Sequence, residues 1–131
     1  MVRLPPGHPR PDGCQFRGAG AERQVPAPDD DRLDHRGPIR GAETRREVAV
    51  RVSECVSELM ADRSHDHVVV THGYAQTFVI TAWLQIPVEA AGFVSFAPKP
   101  GSITHLRHDD SWRNRTLVDL ADTGHLSGRR P

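Results

Sequence analysis

Apolar residues fall into two regimes along these 131 residues. Through residue 40 they are sparse and keep no period: Val2, Leu4, Phe16, Val25, Leu33 and Ile39 stand among prolines, glycines and the acidic run Asp29-Asp30-Asp31. Such a segment buries too little surface to offset the entropy of ordering it, so residues 1–40 are expected to be irregular or disordered. From Gly41 the pattern changes. Val48, Val52, Val56 and Leu59, with Cys55 and Met60 beside them, recur at helical spacing opposite Arg45, Arg46, Arg51, Glu54, Ser57 and Glu58. Thr44 and Glu47 have the spacing of a capping box, and Glu47 and Arg51 stand four apart in the favourable orientation. An amphipathic helix is predicted from Thr44 to about Arg63.

The polar connection Ser64-His65-Asp66 leads into Val68-Val69-Val70-Thr71, a short apolar run that reads as a buried strand. A second helix, from about Tyr74 to Leu84, is apolar nearly all round and therefore expected to be buried, with Pro87 ending the segment. Three further strands are predicted at Gly92–Phe96, Ser102–Arg107 and Arg115–Leu120. The last two alternate well and flank Asp109-Asp110-Ser111, as in an antiparallel hairpin. Residues 128–131 read as a loose tail, leaving an α/β domain over 41–127.

Composition narrows the function classes without choosing among them. Lys+Arg and Asp+Glu balance at 17 each, so no global charge points to nucleic acid or an anionic membrane as partner. Lys99 is the single lysine, and this arginine bias is read as compositional. Two cysteines, Cys14 and Cys55, are too few for a disulfide framework, and Cys55 falls on the apolar helix face. No apolar run approaches membrane-span length and no signal-peptide core is seen, so a cytoplasmic protein is expected. His65-x-His67 and His105-x-x-His108-Asp109-Asp110 lack the spacing of zinc ligands, and no metal or cofactor is expected.

The chemistry concentrates at Thr71-His72-Gly73-Tyr74. This junction sets an imidazole at the carboxyl end of a strand and beside the free amides of a helix start. Open α/β sheets bind ligands at such positions, and helix N-termini favour phosphate. On residues alone, a histidine that caps or fills the turn explains His72 equally simply. His105, which alternates with Ile103, is expected to face solvent, and Trp112 to pack at the hairpin. Arg107, Arg113 and Arg115 read as a solvated charged edge.

Helix, strand, His72-Gly73 and buried helix in that order resemble the C-terminal part of the histidine phosphatase superfamily, which includes phosphoglycerate mutase-like proteins. Gly41-Ala42-Glu43-Thr44 with Arg51-Val52 is similar to the family's Gly-x-Glu-Ser/Thr stretch and Arg-Val helix. Val68-Val69-Val70-Thr71-His72-Gly73 is similar to its second histidine motif, Gly101-Ser102-Ile103-Thr104 to the strand after it, and Asp122-Thr123-Gly124-His125-Leu126 to its closing segment. The resemblance covers about residues 29–127. It implies a partial three-layer α/β/α sandwich of the phosphoglycerate mutase-like type, with a mixed sheet ending in a hairpin. It also implies phosphomonoester hydrolysis or phosphoryl transfer through phosphohistidine on a phosphorylated small molecule, without a metal. His72 would donate to the phosphoryl oxygens, with the amides of Gly73 and Tyr74 beside it. Glu43 would lie near the pocket or, the simpler reading, only begin the helix and favour its dipole. His125 would lie near the pocket or serve equally as a structural turn residue.

The family's nucleophile is a histidine in an N-terminal Arg-His-Gly motif, and that motif does not occur in this sequence. His8, in Gly7-His8-Pro9-Arg10, and His35, in His35-Arg36-Gly37, follow no strand. The chain therefore reads as a family member lacking the first half of the pattern, and the resemblance implies ancestry rather than activity of this chain alone. The alternative is a catalytically inactive remnant that binds phosphate or pairs with another chain, with self-association through uncovered apolar surface.

Overall fold

The computed structural model describes residues 32–128. Helix α1 spans Arg45–Ala61, α2 spans Ala75–Trp83 and the short α3 spans Val88–Ala91. Strands β1, Ile103–Asp109, and β2, Asn114–Asp122, follow and form an antiparallel hairpin. A single 3-10 turn, Gly124–Leu126, closes the described chain. The expectation for residues 1–31 lies outside the described residues. Residues 32–44 are turns and irregular backbone, anchored where Leu33 is buried and accepts from the Arg46 N–H at 3.0 Å.

α1 begins as its sequence requires. The Thr44 hydroxyl accepts from the Glu47 N–H at 3.1 Å, and the Glu47 carboxylate accepts from the Thr44 N–H at 2.7 Å. Two donors that a helix start leaves unsatisfied are met by this reciprocal pair. That N–H bond, seconded by Arg36, holds the Glu47 carboxyl below the usual carboxylate range. The expected Glu47–Arg51 pair does not form. Glu47 instead binds Arg36 at 2.6 Å, and Arg51 turns back to Glu43, with its Nε and Nη2 at 3.0 and 2.8 Å from the two carboxylate oxygens. Glu47 and Arg51 are both drawn to the segment that precedes the helix, an option that a helix-only reading cannot see.

The core is the seam between α1 and α2. Ala49, Val52 and Val56 from α1 meet Phe78 and Val79 from α2, with Ala91 of α3 closing one side. The buried run Thr77 to Thr81 confirms that α2 is enclosed on most of its circumference. α3 was not expected; Gln85, at φ 57, turns the chain after α2, and Pro87 then stands at the start of α3 rather than merely ending α2. α1 itself stops at Ala61, two residues earlier than expected.

The sheet departs most from expectation. Among the described residues only β1 and β2 pair, and neither Val68–Thr71 nor Gly92–Phe96 joins a ladder. A strand needs a neighbour that pairs with its backbone groups, and no described segment pairs with either one. Residues 68–71 still keep an alternating aspect. Val69 packs on the helical core, whereas Val68 and Val70 are 84% and 86% exposed on the other side. The helices cover one face of this extended run and leave the opposite face bare. Trp112, expected to pack, is 78% exposed at the hairpin turn.

Replacing Thr44 with Ala removes one half of the capping box and should cost about 1 kcal/mol of stability. Urea unfolding followed by far-ultraviolet circular dichroism measures it, and an unchanged midpoint would show that the cap contributes nothing.

Candidate active site

Topology places the candidate residues before any side chain is considered. α1 runs down to the 62–67 connection, the extended run 68–71 returns, and α2 turns back again at Gly73. The starts of α1 and α2 therefore lie at the same end of the domain, beside His72. Direct contact confirms it: the Arg45 guanidinium carbon, from the first residue of α1, sits 4.8 Å from the centroid of the Tyr74 ring, just ahead of α2.

Gly73 adopts φ +55, a left-handed conformation that glycine tolerates and that lets the chain reverse directly after His72. His72 and Gly73 are both exposed. The α2 start carries no side-chain cap; the Gln76 N–H turns back to the Gly73 carbonyl at 3.4 Å, which leaves the amides of Gly73 and Tyr74 to a ligand. Tyr74 is committed elsewhere by its side chain. Its hydroxyl donates to the Val94 carbonyl at 2.9 Å, and its ring meets Phe78 edge-on at 5.1 Å. Only the main chain of Tyr74 is left to contact an anion.

The hairpin reaches the same end. Gln76, in the first turn of α2, donates from Nε2 to the Thr104 hydroxyl at 2.6 Å, and the Ala121 N–H donates to that same oxygen at 3.1 Å. The beginning of β1 and the end of β2 are thus tied to the α2 start, and the turn that carries His125 follows directly. His125 is exposed there. Glu43 is at this end too, but its carboxylate is engaged by Arg51. The structure therefore brings His72, Gly73, the Tyr74 main chain, Glu43 and the His125 turn to one end. Arg45 joins them, although it read as a residue of the solvated face; only the long-range contact with Tyr74 reveals it.

Other clusters lie elsewhere. Asp62 accepts from the Ser64 N–H at 3.0 Å and from the Ser64 hydroxyl at 2.5 Å, and His65 Nδ1 stands 3.2 Å from its other oxygen. His67 Nε2 donates to the Asp62 carbonyl at 2.9 Å. These bonds fasten the turn between α1 and the extended run; no group of three or more His, Cys, Asp or Glu that could hold a metal occurs among the described residues. A cavity of about 530 Å³, lined by Ser57, Met60, Arg63, Ile86 and Arg115 among others, opens between the far ends of α1 and α2, and His72 does not line it. Arg115, expected on a solvated edge, donates to the Trp83 carbonyl at 3.0 Å and fastens the hairpin to the end of α2. His105 is largely solvent-facing, as expected, with Asp119 4.0 Å away.

A profile of the histidine phosphatase superfamily, branch 1, matches residues 13–122. The match takes in most of the chain, and the chain belongs to that superfamily. It begins earlier than the motifs quoted above and ends at Asp122, so His125 lies beyond it. No curated protein and no solved structure matches the chain. No described helix is long and apolar enough to cross a membrane.

The Asp62 turn has a defined acid response. The hydrogen bonds from Ser64, seconded by His65, lower the Asp62 carboxyl from 3.8 to about 2. A depressed carboxyl contributes stability that is complete above its unfolded value and fades as pH falls through the folded one. The contribution should therefore be lost between about pH 4 and pH 2. Carbon-detected NMR titration of the Asp62 carboxyl checks this, and a midpoint near 4 would contradict it.

Proposed function

We propose that this domain binds the phosphoryl group of a phosphorylated small molecule at the start of α2. His72 donates to phosphoryl oxygens there, and the amides of Gly73 and Tyr74 complete the contact. The observation that carries this reading is the coincidence of an exposed His72-Gly73 turn and an uncapped helix start within a chain of the histidine phosphatase superfamily. The superfamily generally binds phosphorylated substrates, and its phosphoglycerate mutase-like fold, a three-layer α/β/α sandwich, is the architecture into which we read these elements.

The chemistry available to His72 is electrostatic. An imidazolium beside a phosphoryl group stabilises charge as it develops on the equatorial oxygens, and a bound anion itself favours the protonated ring. In phosphohistidine chemistry, a second imidazole attacks phosphorus, the ester oxygen departs with a proton, and water then releases phosphate from the ring. His72 would support both steps by holding the oxygens; the nucleophilic histidine's Arg-His-Gly motif does not occur in this sequence, so the attacking role is assigned to no residue of this chain. Hydrolase or mutase activity is thus the ancestral chemistry we assign to the fold. Glu43 and His125 are secondary candidates for the pocket rim.

Inorganic phosphate should shift the His72 ring resonances in a saturable manner at millimolar concentration, and His72→Ala should weaken binding about tenfold or more. Unperturbed His72 signals up to tens of millimolar phosphate would refute the site.

A second reading is favoured by the bare face of residues 68–71. A domain that exposes Val68, Val70 and Phe93, the last 73% exposed, is suited to pair with another chain, and self-association is the form of it we propose. Sedimentation velocity should then show concentration-dependent association that Val70→Lys reduces. A strictly monomeric wild-type chain across micromolar concentrations would exclude this reading.

A further inference from the structure

We propose that Arg45 is an anion-contacting residue of the corner at the α2 start, giving a phosphoryl group bound there a permanent positive charge. The inference rests on the reading of His72, Gly73 and Tyr74 as the phosphoryl site, and it deepens that reading by adding a side chain from a different helix.

Arg45 differs from the arginines around it. Arg46 is held by Asp34 at 2.8 Å and by Glu89 at 3.3 Å, Arg51 by Glu43, and Arg36 by Glu47. Among the described residues no carboxylate or carbonyl takes a hydrogen bond from Arg45, whose guanidinium lies over the Tyr74 ring. The ring is itself immobilised through Val94 and Phe78, so Arg45 rests on a fixed platform. The nearby carboxylates are already engaged by other partners.

Electrostatics makes this placement unfavourable unless an anion arrives. A cation in the first turn of a helix opposes the helix dipole, and here the positive ends of α1 and α2 lie together. An arginine added to that corner adds positive potential where the nearby carboxylates of Glu43 and Glu47 are already engaged by Arg51, Arg36 and the Thr44 N–H. A phosphoryl group relieves all three sources at once. The planar guanidinium suits that role, because stacking on an aromatic ring leaves its forked N–H donors to engage two phosphoryl oxygens.

Isothermal titration of the full chain with inorganic phosphate at constant ionic strength tests the proposal. Arg45→Leu should weaken binding about tenfold, the loss expected for one charge-assisted contact. Arg45→Gln, which retains length and helix propensity, should weaken it similarly, so a Leu variant that folds poorly leaves the question decidable. Arg107→Gln, which removes a charge on the hairpin, should bind as the wild type does. Wild-type affinity in Arg45→Gln, with binding lost in His72→Ala, would overturn the Arg45 assignment and leave the His72 site standing. Undiminished binding in His72→Ala with loss in Arg45→Gln would do the reverse. An equal loss in Arg107→Gln would reduce the effect to net charge and overturn the Arg45 assignment, and no binding by the wild type would overturn both.

Discussion

The packing of α1 against α2 is the constraint from which the rest of the molecule follows. Val52 and Val56 on one helix and Phe78 and Val79 on the other are buried in a single seam. Each contributes on the order of 1.5–3 kcal/mol by leaving water, before the entropy of ordering is set against it. Because the segment joining the helices returns along α1 before α2 begins, the seam closes with both helix starts at the same end. The position of His72 is a consequence of that geometry, as is the meeting of Arg45 with Tyr74.

Around that end, charged side chains sort rather than stabilise. The pairs Arg36–Glu47, Arg46–Asp34 and Arg51–Glu43 are substantially exposed and each is energetically small. Their effect is positional. They draw the carboxylates of Glu43 and Glu47 onto named partners and leave Arg45 over an aromatic ring. The hydrogen bond from Arg46, strengthened by its charge, lowers the Asp34 carboxyl, so this arrangement persists through neutral pH. The end of the domain that carries the histidine turn therefore combines two helix starts with a cation, while the far end holds an open cavity between Arg63 and Arg115.

What could be read from the chain was what local rules control. The Thr44 cap, the apolar stripe of α1, the enclosed α2 and the β1–β2 hairpin are written in spacing and turn chemistry, and they stand where that chemistry places them. Beyond the hairpin, pairing was not legible, because a strand is defined by its neighbour: Val68–Thr71 has strand composition, yet no described segment supplies a ladder. The Arg51–Glu43 and Arg45–Tyr74 contacts were missed for a related reason. Both depend on where the chain outside α1 lies, and helical spacing carries no information about that. The site followed the same division, with His72 and Gly73 visible as a motif and Arg45 visible only once α1 and α2 were side by side.

The central claim is that one end of this domain is built to hold a phosphoryl oxyanion. A crystal structure of the chain grown with orthovanadate, a phosphoryl mimic, addresses it most directly. The account predicts the anion within hydrogen-bond distance of the His72 imidazole and the Gly73 and Tyr74 amides. Vanadate seated instead in the cavity between Arg63 and Arg115, with the His72 end empty, would contradict it.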